Sequence, residues 1–229
     1  MIPDPPDPSN RPAARTGYLL AVDIGTTGAK VSLFRPDGGL AASASAPCPT
    51  RYPRPGWAEQ DPQEWWSAAC SAARRLLDAR PGAARRIQAI GLCGMMNGCA
   101  LFDSAGRAVR PALIHADLRG APQCRRIAGA LGEERFFALT ANRLAPHLTL
   151  GKLAWLAEQE PASLRRARWC LQAKDVLAGR LTGVFGITDP SDASLTGLLD
   201  IRAGSWAEEL VAAAGIQRRC NRWNRNPDV

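Results

Sequence analysis

The run Tyr18-Leu-Leu-Ala-Val-Asp-Ile-Gly-Thr-Thr-Gly-Ala-Lys-Val-Ser-Leu-Phe34 decides how the rest of the chain is read. Tyr18 to Val22 is an apolar stretch of strand length, Asp23 opens a Gly/Thr turn, and Lys30 to Phe34 resumes a two-residue alternation. The pattern predicts a β-hairpin with a polar tip. Glycine lets the backbone approach a bulky anion and aim N–H groups at it, while the Thr26, Thr27 and Lys30 side chains add donors and charge. Gly25, Thr26, Thr27, Gly28 and Lys30 therefore form a candidate phosphate site. Asp23, at the strand end, is the kind of oxygen ligand that a hydrated Mg²⁺ takes directly or through water. The alternative for so short a motif is an ordinary glycine turn. No GxxxxGK[ST] is present and no helix follows directly, so the stretch is not a Walker A loop.

Composition narrows the function classes. The 229 residues suffice for one good core or two small ones, and 46% hydrophobic with 22% charged residues is ordinary for a globular domain. Seven cysteines, an odd number without a CxxC pair, indicate neither a zinc ribbon nor a disulfide framework and read as reduced, mostly buried thiols. No apolar run reaches the ~20 residues that span a bilayer, and residues 1–17 carry no hydrophobic signal core, which together predict a cytoplasmic protein. The net charge of +8 raises nucleic acid as a partner. Its source is scattered pairs such as Arg74-Arg75, Arg85-Arg86 and Arg165-Arg166 without a binding motif, so nucleic-acid binding is not expected.

Residues 1–16 carry five prolines and predict a disordered leader. After the hairpin, Pro36-Asp-Gly-Gly39 is a turn and Leu40 to Ala46 a third antiparallel strand. Asp61 as N-cap, Pro62 at the first helical position and Glu64 as reciprocal capping partner predict a helix to about Ala79. Its buried stripe is expected at Trp65, Ala69, Ala73, Leu76 and Leu77, with the Trp65-Trp66 pair as packing. Ile87 to Cys93 reads as a central strand. Gly94 to Gly98, around polar Asn97, breaks it as a backbone does when making room for a small ligand, before Cys99 to Phe102 resumes. A further apolar run, Pro111 to Arg119, ends in Asp117 and Arg119. Helices are predicted over 121–131, 133–139, 148–158, 161–168, 173–181 and 206–214, with a hydroxyl-rich loop over 185–196. Strands first and helices after suit an α/β domain whose mixed sheet opens with antiparallel strands and carries a helical insertion.

The hairpin resembles the first phosphate loop of the sugar-kinase, actin and heat-shock ATPase superfamily, which implies a ribonuclease-H-like (actin-like ATPase) fold. The blocks DIGTTGAK, GWAEQDPQEWW, GLCGMMNGCALFD, RPALIHADLR, LTLGKLAWLAEQEP, LQAKDVLAGRLTG and TDPSDASLTGLLDIR, in that order over Leu19 to Ile216, are similar to the N-terminal domain of the FGGY carbohydrate kinases, nearest the xylulokinase-like and gluconokinase-like branch. The resemblance implies ATP-dependent phosphorylation of a sugar or polyol hydroxyl with Mg²⁺. It sets Gly25, Thr26, Thr27 and Lys30 against the nucleotide phosphates and Asp23 at the metal. It also sets Met96, Asn97, Asp117 and Arg119 at the acceptor site.

Met95-Met96-Asn97-Gly98 stands where xylulokinases usually show Gln-Met-His-Gly, and His115 stands where the family often has Trp. A pentulose such as xylulose leads the acceptor candidates, with a hexulose, polyol or aldonate behind it. The family's catalytic Asp and adenosine-binding second domain are expected beyond Ile216, where residues 217–229 turn Arg- and Asn-rich like a shifted frame or truncation. This chain is thus expected to be inactive alone. The alternative is a non-catalytic sugar-binding or partner-binding module derived from a kinase. A homodimer is left open.

Overall fold

The computed structural model describes residues 17–216. The readings of residues 1–16 as a leader and of 217–229 as an atypical tail lie outside the described residues.

Strands β1 (Tyr18–Ile24), β2 (Gly28–Phe34) and β3 (Leu40–Pro47) form the antiparallel meander that the sequence predicts, and β5 (Ile87–Gly94) joins β1 in parallel, giving the order β3-β2-β1-β5. Between β3 and β5 lie the two-residue β4 (Glu59–Gln60) and helix α1 (Pro62–Asp78). Alternation sorts the sheet's faces. Leu20, Val22 and Ile24 of β1 and Ala29, Val31 and Leu33 of β2 are buried beneath α1, whereas Leu19, Asp23 and Lys30 are exposed. Each fully buried aliphatic side chain here contributes about 1.5–3 kcal/mol of transfer free energy.

Asp61 caps α1 by accepting from the Gln63 N–H at 2.9 Å, and Pro62 takes the first turn as expected. Glu64 does not close a capping box, because its carboxylate instead receives both terminal nitrogens of Arg51, at 2.6 and 3.2 Å. The buried stripe is Trp65, Ala68, Ala69, Ala72 and Leu76, so the helix is rotated slightly from the expected face, and Ala73 and Leu77 sit at its margin. Three alanines in that stripe let the helix lie close to the sheet.

The chain continues through β6 (Ala100–Phe102), β7 (Ala112–Leu113), α2 (Ala121–Leu131), α3 (Glu133–Thr140), α4 (Thr149–Gln159), α5 (Pro161–Arg166), β8 (Trp169–Leu171) and α6 (Ala173–Thr182). It closes with α7 (Pro190–Ser194), β9 (Leu199–Asp200), β10 (Ser205–Trp206) and α8 (Glu208–Ala213). Two cores result, one between the sheet, α1 and α6, the other among α2, α3, α4, α5 and α8. Strands β6, β7 and β8 stand between them and feed both. Ala100, Phe102, Ala112, Ile114 and Leu171 point into the first core, and Cys99, Leu101, Leu113 and Cys170 into the second.

Three expectations change. Strand β5 is an edge rather than a central strand among the described residues, with Gln88, Ala89, Ile90 and Gly91 all exposed. Ser205 and Trp206 pair with β9 before the last helix begins at Glu208. The hydroxyl-rich loop contains the short α7, capped by Asp189, whose carboxylate accepts from the Asp192 N–H at 3.0 Å. Of the six described cysteines, all free thiols, Cys48, Cys99, Cys124 and Cys170 are buried. Among the described residues no helix is long and apolar enough to cross a membrane.

Candidate functional site

The hairpin tip closes through Gly25 N–H donating to Gly28 C=O at 2.9 Å, and Thr27 C=O accepts from Cys48 N–H at 3.0 Å. Beside it opens a cavity of about 390 Å³ lined by Asp23, Gly25, Thr27, Gly28, Ala29, Lys30, Ser45, Ala46 and Pro47. Asp23 and Lys30 are directly opposite each other in the β1–β2 register, and Lys30 is opposite Ser45 on β3. Among the described residues no ion pair joins Asp23 to Lys30, and both side chains are exposed. A carboxylate and an ammonium that face one cavity without neutralising each other remain available to a ligand that carries both anionic oxygens and a cation.

Thr26 is not among the cavity's lining residues. Its carbonyl is turned inward and held by Gln60 Nε2 at 2.7 Å and Thr50 Oγ1 at 3.3 Å. Gln60 is fully buried, and its Oε1 accepts from the indole N–H of Trp65 at 2.7 Å. Trp65 is therefore the packing residue the sequence suggests and also the anchor of the glutamine that shapes the tip.

The donor set fits Mg²⁺ held largely by phosphate oxygens and water, which needs only one or two protein carboxylates. Asp23 supplies one. No cluster of three or more acidic, His or Cys side chains suited to an all-protein metal site occurs among the described residues.

The turn over Met95 to Gly98 lies at the same end of the sheet as the hairpin tip. Ile24 pairs with Gly94, and Met95 N–H donates to Ile24 C=O at 2.7 Å. Met96 is 48% exposed, whereas Asn97 is only 5% exposed and adopts φ 59°, a left-handed conformation that costs a non-glycine residue free energy. Its Oδ1 is buried without a hydrogen-bond partner. The turn is locked from below. Gly98 N–H donates to Gln172 Oε1 at 2.7 Å, and Gly98 C=O accepts from Thr149 Oγ1 at 2.9 Å. His115, in the turn that follows β7, has an Nδ1 that is likewise buried and unpartnered. Burial, then the positive charge of Lys152, pushes the His115 imidazole below its usual range.

Asp117 and Arg119 do not stand free at a strand end. Asp117 is fully buried and accepts from Ala58 N–H at 2.7 Å, from Arg119 Nη2 at 2.7 Å and from Arg119 Nε at 2.9 Å. Arg119 lies 3.7 Å from the centroid of Trp57 and 5.0 Å from that of Trp155, and its Nη2 also reaches Glu59 Oε1 at 2.8 Å. Glu59 takes Arg110 Nη2 at 2.7 Å, and Arg110 Nε meets Glu160 at 3.0 Å. The pair is thus the centre of a buried ionic chain, from which Arg119 Nη1 is left unpartnered.

The sequence reading missed Glu59 and Gln60. These consecutive residues of β4 hold the Asp117–Arg119 network and the hairpin tip respectively. Both lie in the GWAEQDPQEWW block, just before the Asp61 cap.

The family described as "FGGY family of carbohydrate kinases, N-terminal domain" matches residues 18–221. The chain is similar to the xylulose kinase of Escherichia coli (strain K12), 33% identical over 199 residues, which are 87% of this chain and 40% of that protein. It is also similar to the glycerol kinase of Afipia carboxidovorans, 33% identical over 212 residues, 88% of this chain and 42% of that protein. Among solved structures, the xylulose kinase from Rhodospirillum rubrum superposes with a TM-score of 0.83 at 30% identity, covering 88% of this chain and 41% of that one. The chain spans about 40% of the length of the curated relatives it matches. The architecture is the actin-like ATPase fold expected from the hairpin.

Proposed function

Since this chain belongs to the FGGY family of carbohydrate kinases and carries its N-terminal domain, we propose that it supplies the phosphate loop and acceptor wall of an ATP-dependent sugar or polyol kinase. The observation that carries this reading is the unneutralised Asp23–Lys30 pair facing one cavity at the sheet end where the Asn97 turn also lies. A pentulose such as xylulose is the first acceptor to test, ahead of glycerol, other polyols and aldonates.

Phosphoryl transfer depends mainly on positioning and on stabilising charged oxygens. ATP with Mg²⁺ supplies the transferable phosphoryl group and a counter-charge. Gly25, Thr26, Thr27 and Lys30 form the loop that receives the phosphates, with Lys30 as the cation, and Asp23 holds Mg²⁺ directly or through water. On the acceptor side, Met96 and Asn97 meet the sugar. The buried Asn97 Oδ1 is suited to accept from a sugar hydroxyl. Asp117 and Arg119 frame that wall and fix its backbone.

Asp117 is committed to Ala58 and Arg119 and is not free to take a proton from the attacking hydroxyl. The 229 residues alone are therefore proposed to turn over little or no sugar. A purified chain that phosphorylates a pentulose and polyol panel at rates near those of an intact kinase would refute this. The phosphate-loop assignment is tested in a chimera in which residues 18–216 replace the matched region of the Escherichia coli relative. There Asp23→Asn should cut kcat at least about 100-fold with an unchanged melting temperature, and unchanged turnover would discredit the assignment.

A second reading, a sugar-binding module without phosphate chemistry, draws on the two unpartnered buried atoms of Asn97 and His115. It predicts tight sugar binding by calorimetry with no nucleotide present.

A further inference from the structure

Cys99 and Cys170 are 71 residues apart in the chain and meet across the β6–β8 pair. Leu101 stands opposite Cys170, and strand alternation puts Cys99 on the same face as Leu101, so both thiols point into the second core. Their sulfurs lie 3.5 Å apart. Sulfurs in contact mean converging Cβ positions, the condition that a disulfide requires. Closing that gap to a bond of about 2.05 Å takes a movement of about 1.5 Å shared between two side chains. The other buried thiols are differently placed, since Cys48 and Cys124 face the carbonyls of Glu64 and Ala145 at 3.7 and 3.6 Å.

The contact lies beneath the lock that holds the Asn97 turn. Cys99 follows Gly98 directly, and Gln172, whose Oε1 takes the Gly98 N–H at 2.7 Å, stands two residues beyond Cys170. Gln172 Nε2 in turn reaches Thr149 Oγ1 at 3.3 Å. A bond between the sulfurs would therefore join covalently the two segments that the Gly98–Gln172 hydrogen bond already joins. Burial, then the contact with Cys99, pushes the Cys170 thiol well above its usual range, with the charge of Lys152 acting in the opposite sense. Proximity rather than acidity thus selects the pair. Whichever sulfur is oxidised first, the other is the nucleophile at hand.

We propose that Cys99 and Cys170 form a thiol pair that a small hydroperoxide converts to an intrachain disulfide, tying β6 to β8 under the Asn97 turn. Cys170, 9% exposed against 0% for Cys99, meets the oxidant first. With hydrogen peroxide, its sulfur attacks one oxygen, the O–O bond breaks, and the other oxygen leaves as water with the thiol proton, giving a sulfenic acid. The Cys99 sulfur then displaces the remaining oxygen. The S–S bond forms, the S–O bond breaks, and a second water carries off the Cys99 proton. Two thiols lose two electrons and one peroxide becomes two waters. The proposal goes beyond the kinase reading and does not depend on it.

The test treats the folded 229-residue chain with hydrogen peroxide, removes the oxidant, alkylates remaining thiols in denaturant and maps disulfides by mass spectrometry without reduction. The expected product is a Cys99–Cys170 cross-linked peptide that dithiothreitol reverses. The oxidised chain should melt at least about 4 °C higher, because the cross-link restricts the unfolded chain. Its Gly98 amide should exchange at least about tenfold more slowly. The double variant Cys70→Ser/Cys93→Ser, which removes the described cysteines that are not buried, should respond in full. Cys170→Ala should lose the cross-link and both responses. Four outcomes overturn the proposal: no cross-link after Cys70 and Cys93 are fully oxidised, Cys99 or Cys170 linked instead to another cysteine, a cross-link that forms only in denaturant, or a cross-linked chain whose melting temperature and Gly98 exchange match those of the reduced chain. The wild-type map decides the first three even if the variants fold poorly. Phosphorylation is not read at any point, so failure here and failure of the kinase reading are separate results.

Discussion

Lys152→Met is expected to make this protein more stable at neutral pH. Lys152 lies on α4 with its side chain fully buried, and its ammonium donates to His147 C=O. Burial lowers its pKa from 10.5 to about 8, a shift partly offset by attraction to neighbouring thiols and to Asp117. A drop of about 2.5 units corresponds to about 3 kcal/mol at 1.36 kcal/mol per unit. The folded pKa of this base lies below its unfolded value, so between pH 8 and 10.5 the unfolded chain holds a proton that the folded chain has released. Stability rises with pH across that window, and below it the full cost of the buried charge is present.

Methionine has a similar unbranched length and no charge to desolvate. The His147 carbonyl it leaves belongs to an exposed residue and can turn to water. Urea unfolding at pH 7, 8.5 and 10 should show the variant ahead by about 1–3 kcal/mol at pH 7. The gap should close as wild-type Lys152 loses its proton. An equal gap at every pH, or a variant less stable than wild type at pH 7, would refute the reasoning.

Three further outcomes follow from the site's geometry. A Cβ at position 28 would lie 2.4 Å from Ala46 C=O in the β2–β3 ladder, whereas one at position 25 would approach nothing closer than 3.5 Å. Gly28→Ala should therefore cost about 1–3 kcal/mol in chemical denaturation, and Gly25→Ala no more than about 0.5 kcal/mol. Gln60→Leu strips the Thr26 carbonyl of one donor and the Trp65 indole of its acceptor, so it should destabilise by about 2–4 kcal/mol and speed amide exchange over residues 25–28. Gln172→Leu leaves the buried Gly98 N–H without a partner, so it should cost about 1–3 kcal/mol and raise exchange at Gly98 while β1 and β2 stay protected.

What could be read in the sequence was what short-range chemistry decides. The β1–β2 hairpin announced itself because alternation along seven-residue strands fixes which side chains face the core. The start of α1 was legible because Asp61 and Pro62 act within one turn of themselves. The Asn97 turn was located by its flanking glycines. The rim position of β5 was not legible, because an apolar strand sequence is the same whether or not a neighbour is present to cover it. Glu64 misled for a related reason. Its spacing from Asp61 suits a capping box, but Arg51, thirteen residues upstream, is an oppositely charged partner that spacing does not reveal.

Asp117 and Arg119 show the same boundary from the side of function. A carboxylate and a guanidinium at the end of an apolar run look like ligand-binding groups, and only the fold discloses that two indoles enclose the arginine and that Glu59 completes its charge balance. Breaking such a buried pair by removing one partner costs more than forming it gains, so the network constrains geometry more than it adds stability. What it constrains is the position of β4. Glu59 is tied to Arg119, sixty residues away, while Gln60 is tied to Thr26, thirty-four residues away in the other direction. Successive residues of a strand point to opposite sides, so two adjacent side chains fix the hairpin tip and the Asp117–Arg119 network to one short piece of backbone. In the proposed kinase reading, the dipeptide thus ties the phosphate-loop side to the acceptor side through two side chains. Phosphoryl transfer, which tolerates little error in the approach of acceptor to phosphate, requires that kind of fixed spacing.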